Sequence, residues 1–147
     1  MIIAVATDHA GFVLKAKAIA AIAAHGHQPL DLSPTLVEGD DYPDVARLLG
    51  ETIQRGVAQR GVLICGSGVG ASVAACKLPG IRAAVCHDTY SAHQGVEHDD
   101  MNVLTLGGRV IGEELVTELV TAFVGATFSG EPRHVRRLAK IAALERR

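Results

Sequence analysis

Short apolar runs alternate with longer amphipathic stretches from one end of the chain to the other. Ile2–Ala6, Pro29–Leu32, Val62–Cys65, Ile81–Cys86 and Asn102–Leu106 read as strands. They lack clean polar alternation, as strands do when both faces of their sheet are covered. Between them, Phe12–His25 predicts a helix, with Leu14, Ala18 and Ile22 on one face and Gly26 as its stop. Val45–Ala58 predicts a second, with Pro43 in its first turn. Helices are also expected over Val69–Lys77, Thr89–Val96, Glu113–Gly125 and Arg133–Glu145, while Ser33–Asp41 reads as a polar loop. This rhythm predicts an α/β fold, a Rossmann-like three-layer sandwich with a five-stranded parallel sheet and an extra C-terminal helix.

Composition narrows the reading in three ways. At 147 residues with no linker, repeat or low-complexity tract, one domain over 1–147 is expected. A net charge of −2 argues against a nucleic-acid or membrane binder, and no apolar run approaches the roughly 18–20 residues of a membrane span. The start, MIIAVATDHAG, has no basic leader, and the three cysteines follow no C-x-x-C spacing. A reducing cytoplasm without disulfides is the expectation.

In open parallel sheets, ligands sit beyond the carboxyl ends of the strands. Three segments are expected there: Thr7-Asp8-His9, Cys65–Gly70 and His87-Asp88. Within GVLICGSGVGAS, residues 61–72, glycines allow a tight turn and close approach to backbone amides, and the following helix start attracts anions. Two functional readings compete with a merely structural turn. Gly66, Gly68 and Ala71 fit a dinucleotide fingerprint, with Asp88 near the ribose-binding spacing, although that fingerprint belongs to a first βα unit and this loop follows the third strand. Alternatively Cys65, facing helical N–H groups, is stabilised as a thiolate nucleophile or base. Cys76 and Cys86 read as buried and inert.

Several segments together resemble one family. DHAG at Asp8–Gly11, DYPD at Asp41–Asp44, ICGSGVG at Ile64–Gly70, GIRAAVC at Gly80–Cys86, NVLTLGGRVIG at Asn102–Gly112 and the Arg133/Arg137 pair are similar to type B ribose-5-phosphate isomerases, whose wider family includes galactose-6-phosphate and allose-6-phosphate isomerases. The resemblance spans essentially the whole chain. It implies aldose–ketose isomerisation of a sugar phosphate through an enediolate, with no metal or other cofactor. Cys65 would move the proton between C1 and C2, and the amides of Gly66, Gly68, Val69 and Gly70 would hold the oxyanion. Ser67, Asp8 and His98 would handle hydroxyls and ring opening, and His9, Arg109, Arg133, Arg137 and His134 would lie at the phosphate. Asp8 also suits a helix N-cap, and the two late arginines also suit a solvated face.

The resemblance further implies a homodimer, or a dimer of dimers, whose subunits share sites through the His98 segment. One position departs: the family usually has Asn after that histidine, and this chain has Asp99. An ionised Asp99 cannot donate to the developing oxyanion, so it is protonated, points elsewhere, or suits a different sugar. A six-carbon substrate and a non-enzymatic sugar-phosphate or nucleotide sensor remain as alternatives.

Overall fold

The computed structural model describes residues 1–145. In chain order they form β1 (Ile2–Thr7), a 3-10 turn (Phe12–Leu14), α1 (Lys15–Ala24), β2 (Gln28–Asp31), α2 (Tyr42–Gln54), β3 (Arg60–Cys65), α3 (Val69–Ala75), β4 (Ala83–Val85), α4 (Thr89–Asp99), β5 (Val103–Gly107), α5 (Glu113–Gly125) and α6 (Pro132–Leu144). The five strands make one sheet in the order β2-β1-β3-β5-β4, and every pairing is parallel.

Side-chain parity sorts the sheet into two cores. Ile3, Val5, Val62 and Ile64 face one way and pack with Leu14, Ile22, Val96, Leu119 and Phe123 from α1, α4 and α5 and the 3-10 turn. Ala4, Ala6, Leu63 and Cys65 face the other way and meet Ala46 and Leu49 of α2 and Ala71 and Ala75 of α3. The second face carries small residues, which lets α2 come close. A Cβ on Gly61 would lie 2.6 Å from Leu49 Cδ2, so the strand is bare where that leucine seats. Parity therefore delivers Cys65 to the α3 side of the sheet.

Helix ends differ from the sequence reading at two places. α2 stops at Gln54, four residues early, because Gly56 takes a left-handed φ of +74°. α4 runs on through His98 and Asp99 until Asp100, at φ +46°, closes it. The loop expected to converge after β4 is also displaced. β4 lies at the sheet edge, and β5 stands between it and β3. The strand order turns back between β1 and β3, the topological switch point of such a sheet.

Gly68 shows how tightly that point is built. Its φ is +80°, and a Cβ there would stand 2.9 Å from the Leu106 carbonyl carbon and 3.2 Å from the Gly107 nitrogen. Gly26 has a similar φ of +74° but nothing within 4 Å. Gly68→Ala is expected to lower stability by about 2–4 kcal/mol, from left-handed strain plus overpacking against backbone. Gly26→Ala, bearing the strain alone, should cost about 1 kcal/mol. Urea unfolding of both variants measures the difference.

Candidate active site

The site begins with the turn after β1. Asp8 is buried, and its Oδ1 accepts from the amides of Ala10 at 2.9 Å and Gly11 at 3.0 Å, while its own amide donates to the Ile64 carbonyl at 3.2 Å. Asp8 thus closes a turn and is not the expected helix N-cap, a place held by Gly11 and Leu14 without side-chain hydrogen bonds, and its Oδ2 has no partner among the described residues. Gly11 lies so close on the Ile64 carbonyl that no side chain fits, and Gly108 presses likewise on the Ala10 carbonyl. The loop after β5 is zipped to the loop after β3. Gly108 N–H donates to the Cys65 carbonyl at 2.7 Å and Arg109 N–H to that of Gly66 at 3.0 Å. Three strand ends therefore meet backbone against backbone.

Cys65 sits at this junction, 4% exposed, and its Sγ accepts from the Gly68 amide at 3.1 Å. Ser67 Oγ accepts from the Val69 amide at 3.2 Å. The amides of Ser67 and Gly70 have no acceptor among the described residues. A cleft of about 370 Å³ opens above, walled by Asp8, His9, Cys65, Ser67, Arg109 and Tyr42. Tyr42 explains Gly70: a Cβ there would fall 2.6 Å from the phenol ring. His9 is held by Asp40, whose Oδ1 lies 2.9 Å from Nδ1. That hydrogen bond raises the imidazole above its ordinary value, with smaller help from the charges of Asp8, Asp40 and Glu38 and opposition from desolvation.

A second cluster lies elsewhere. α4 runs back down the sheet, so His98 and Asp99 stand near the start of β5, whereas Cys65 pairs with Gly107 at its end. Five residues of strand put roughly 15 Å between the two ends. Here the His98 ring stacks on His134, with centroids 4.2 Å apart and planes at 20°. Gln94 Nε2 donates to His98 Nδ1 at 2.9 Å. Arg133 Nε donates to His134 Nε2 at 3.3 Å and pairs with Glu131 at 3.0 Å. Arg137 is exposed on the same helix. Asp99 is exposed and lines a separate groove with Met101 and Ile141.

A model of the ribose/galactose isomerase family matches residues 3–141. The chain belongs to that family. It is 42% identical to ribose-5-phosphate isomerase B of Escherichia coli (strain K12), covering 99% of this chain and 97% of that one. A D-erythrulose-4-phosphate isomerase of Pectobacterium atrosepticum is 48% identical over 63% of this chain and 61% of its own. Among solved structures, ribose-5-phosphate isomerase B of Mycoplasma genitalium with bound ribulose-5-phosphate superposes with a TM-score of 0.91, at 35% identity, covering 99% and 96% of the two chains.

Against this family background, the residues singled out in the sequence divide into two groups. Asp8, His9, Cys65, Ser67, Arg109 and the glycine-loop amides of Gly66, Gly68, Val69 and Gly70 come together; His98, Asp99, Arg133 and Arg137 do not join them within one chain. Two readings are corrected. Asp88 accepts from the Ser91 amide at 2.7 Å as the cap of α4, and those hydrogen bonds hold its carboxyl below the usual range. It is therefore committed to the helix rather than to a ribose. Cys76 is exposed at the end of the two-turn α3, whereas Cys86 is buried and desolvation pushes its thiol up to about 11. Two supporting residues, Asp40 and Tyr42, were not singled out as functional, while His87, expected beyond the strand ends, accepts from the Gly107 amide through Nε2 at 3.0 Å. Only Tyr42 lay within a quoted motif.

His134 is 2% exposed, and burial, followed by His98, Arg133 and Arg137, holds its imidazole below the ordinary value against Glu131. A group kept neutral by folding adds stability that is complete above the unfolded-state value, near 6.5, and is lost as pH falls from there toward the folded value. The protection factors of the α6 amides, taken against intrinsic exchange at the same pH, are therefore expected to fall as pH drops below about 6.5. His134→Gln should flatten that dependence.

Proposed function

We propose that the chain interconverts ribose 5-phosphate and ribulose 5-phosphate through an enediolate. The observation that carries this is a buried thiol at a sheet switch point, hydrogen-bonded to a left-handed glycine amide and open to a cleft whose Ser67 and Gly70 amides have no acceptor among the described residues. In the aldose-to-ketose direction, sulfur takes the C2 hydrogen and the electron pair moves to make the C1–C2 double bond, with charge on O1. The thiol then delivers a proton to C1 as the O2 hydroxyl gives up its proton to become the carbonyl and O1 gains one. The Ser67 and Gly70 amides suit the developing oxyanion because they are fixed before charge appears. Asp8 Oδ2 and Ser67 Oγ suit substrate hydroxyls, and Arg109 with His9 suits the phosphate. Binding there holds C1 and C2 over the sulfur.

The remaining residues are proposed to act across a homodimer. α6 buries only His134 and leaves Val135, Ile141 and Leu144 at 49%, 41% and 59% exposure. A second copy covering that face would bring His98, Arg133 and Arg137 to the other chain's Cys65 cleft. Chemistry by thiol, amides and cations needs no metal, so chelation should leave turnover intact.

A second reading is a substrate of different chain length. The Pectobacterium relative is an isomerase of a four-carbon ketose phosphate, and Asp99 offers a carboxylate at the position expected to meet a hydroxyl or oxyanion. Four-, five- and six-carbon aldose phosphates assayed for ketose formation, with solvent-deuterium exchange at C2, decide the substrate. The five-carbon pair is expected to turn over fastest.

Cys65→Ala should lower kcat by at least about 10³-fold, the upper part of the range for a positioned acid–base group, with substrate still bound. Mixing Cys65→Ala with His98→Ala chains tests the shared site. Random pairing makes half of the dimers mixed, each with one intact site, so about a quarter of parental activity should return. No recovery would place both residues' work within a single chain.

A further inference from the structure

The loop 33–41 between β2 and α2 folds back over the end of β1, and its root is fixed. Ser33 Oγ accepts from the Thr7 amide at 3.0 Å, and its carbonyl accepts from Lys15 Nζ at 2.6 Å. Lys15 also pairs with Asp31 at 2.9 Å. From the far end of this anchored loop Asp40 reaches the active-site turn. One oxygen, Oδ1, takes both the His9 backbone amide at 2.8 Å and the ring Nδ1 at 2.9 Å. Gripping backbone and ring together fixes the orientation of the imidazole as well as of the turn.

The consequence is chemical. With Nδ1 given to Asp40, the opposite nitrogen, Nε2, has no partner among the described residues, and the ring forms part of the cleft wall beside Arg109. A bare Nε2 presents a lone pair and repels an anion; a protonated one donates to it. Because Nδ1 is already protonated, a donor at Nε2 means an imidazolium. A carboxylate on Nδ1 favours that form.

We propose that Asp40 is a positioning residue for anion recognition: it holds the His9 amide and Nδ1 so that Nε2–H points into the cleft as a donor to the substrate phosphate. This deepens the proposed function and rests on it for the identity of the anion. The groups facing His9 are Asp8 on its own turn, Glu38 and Asp40 on the loop, Arg109 after β5, and Tyr42 and Cys65 in the cleft. Among the carboxylates Asp40 acts most strongly, through its hydrogen bond, which is why one substitution should show the effect.

Asp40→Asn keeps the shape and an acceptor oxygen but removes the charge. The readouts are the ring titration of His9 by NMR, inorganic phosphate affinity, and KM and kcat for ribose 5-phosphate from pH 5.5 to 8.5. The variant's His9 should titrate at lower pH. Its KM relative to the parent should stay near one at the acid end of this range and rise toward the alkaline end, levelling off once both imidazoles are neutral. The change should fall on KM and not on kcat, and taking the ratio removes the titration of the phosphate itself. A KM ratio constant across this range, or an unshifted His9 titration, overturns the proposal. His9→Asn provides the second arm. It should abolish the pH-dependent component, and adding Asp40→Asn should then change nothing more. If His9→Asn leaves both KM and phosphate affinity unaltered, the proposal falls, while Cys65-dependent turnover in the same assay reports separately on the proposed function.

Discussion

The hydrogen bond from the Gly68 amide to the Cys65 sulfur is the constraint on which the arrangement rests. It exists only because Gly68 can hold φ at +80° against the Leu106 carbonyl, and because strand parity turns Cys65 toward α3. Both conditions depend on the meeting of three strand ends without intervening side chains, with Gly11 on Ile64 and Gly108 on Ala10. The glycines thus serve two ends at once. They let the loops after β1, β3 and β5 close on one another, and they leave the amides bare where a ligand arrives.

How much of this could be read from the sequence follows from what a linear pattern encodes. Alternating apolar runs and amphipathic stretches disclosed the five strands, the parallel sheet and the covered faces, because burial on each element is a local property. The glycine loop and Asp8 were legible for the same reason: a turn and the side chain that closes it lie within a few residues. Strand order was not legible. Parity says which face a residue takes but not which strand lies beside it, so Asp88 was expected at the site, and Arg109 was placed there by the family resemblance and not by the strand pattern. α4 ran past its expected end because Glu97, His98 and Asp99 are polar, and the left-handed turn at Asp100 that stops the helix has no periodic signature. Asp40 was missed because its partner, 31 residues away, is near only in space.

The two clusters on one chain explain why α6 looks as it does. In isolation it is poorly employed: it packs chiefly on α4, buries one histidine, and exposes three large apolar residues. Under the proposed dimer the same helix contributes cohesion on one face and cations on the other. Catalytic competence then becomes a property of the pair, since neither chain brings the thiol and His98 together by itself. His134 joins the two functions. Neutral and buried, it supports the His98 ring by stacking while its Nε2 accepts from Arg133, a candidate phosphate ligand.

The three cysteines show that this selection is made by environment and not by residue type. Cys86 is buried among apolar neighbours beside Asp88, and its thiol is pushed up to about 11, beyond use as a base near neutrality. Cys76 is exposed at a helix end; its sulfur donates to the Ala83 carbonyl at 3.2 Å and accepts from the Ala83 amide at 3.4 Å, so it has a donor but no shelter from bulk water. Cys65 alone combines a donor amide on sulfur, shelter from bulk water and a neighbouring cleft with unfilled amides. A proton shuttle needs all three: the donor beside the sulfur, the shelter to keep bulk water off the enediolate, and the amides to take the charge when the hydrogen leaves carbon. Moving the thiol by one residue along β3 would turn it through the sheet to the α1 and α5 side, where Ile64 now lies, and all three would be lost together.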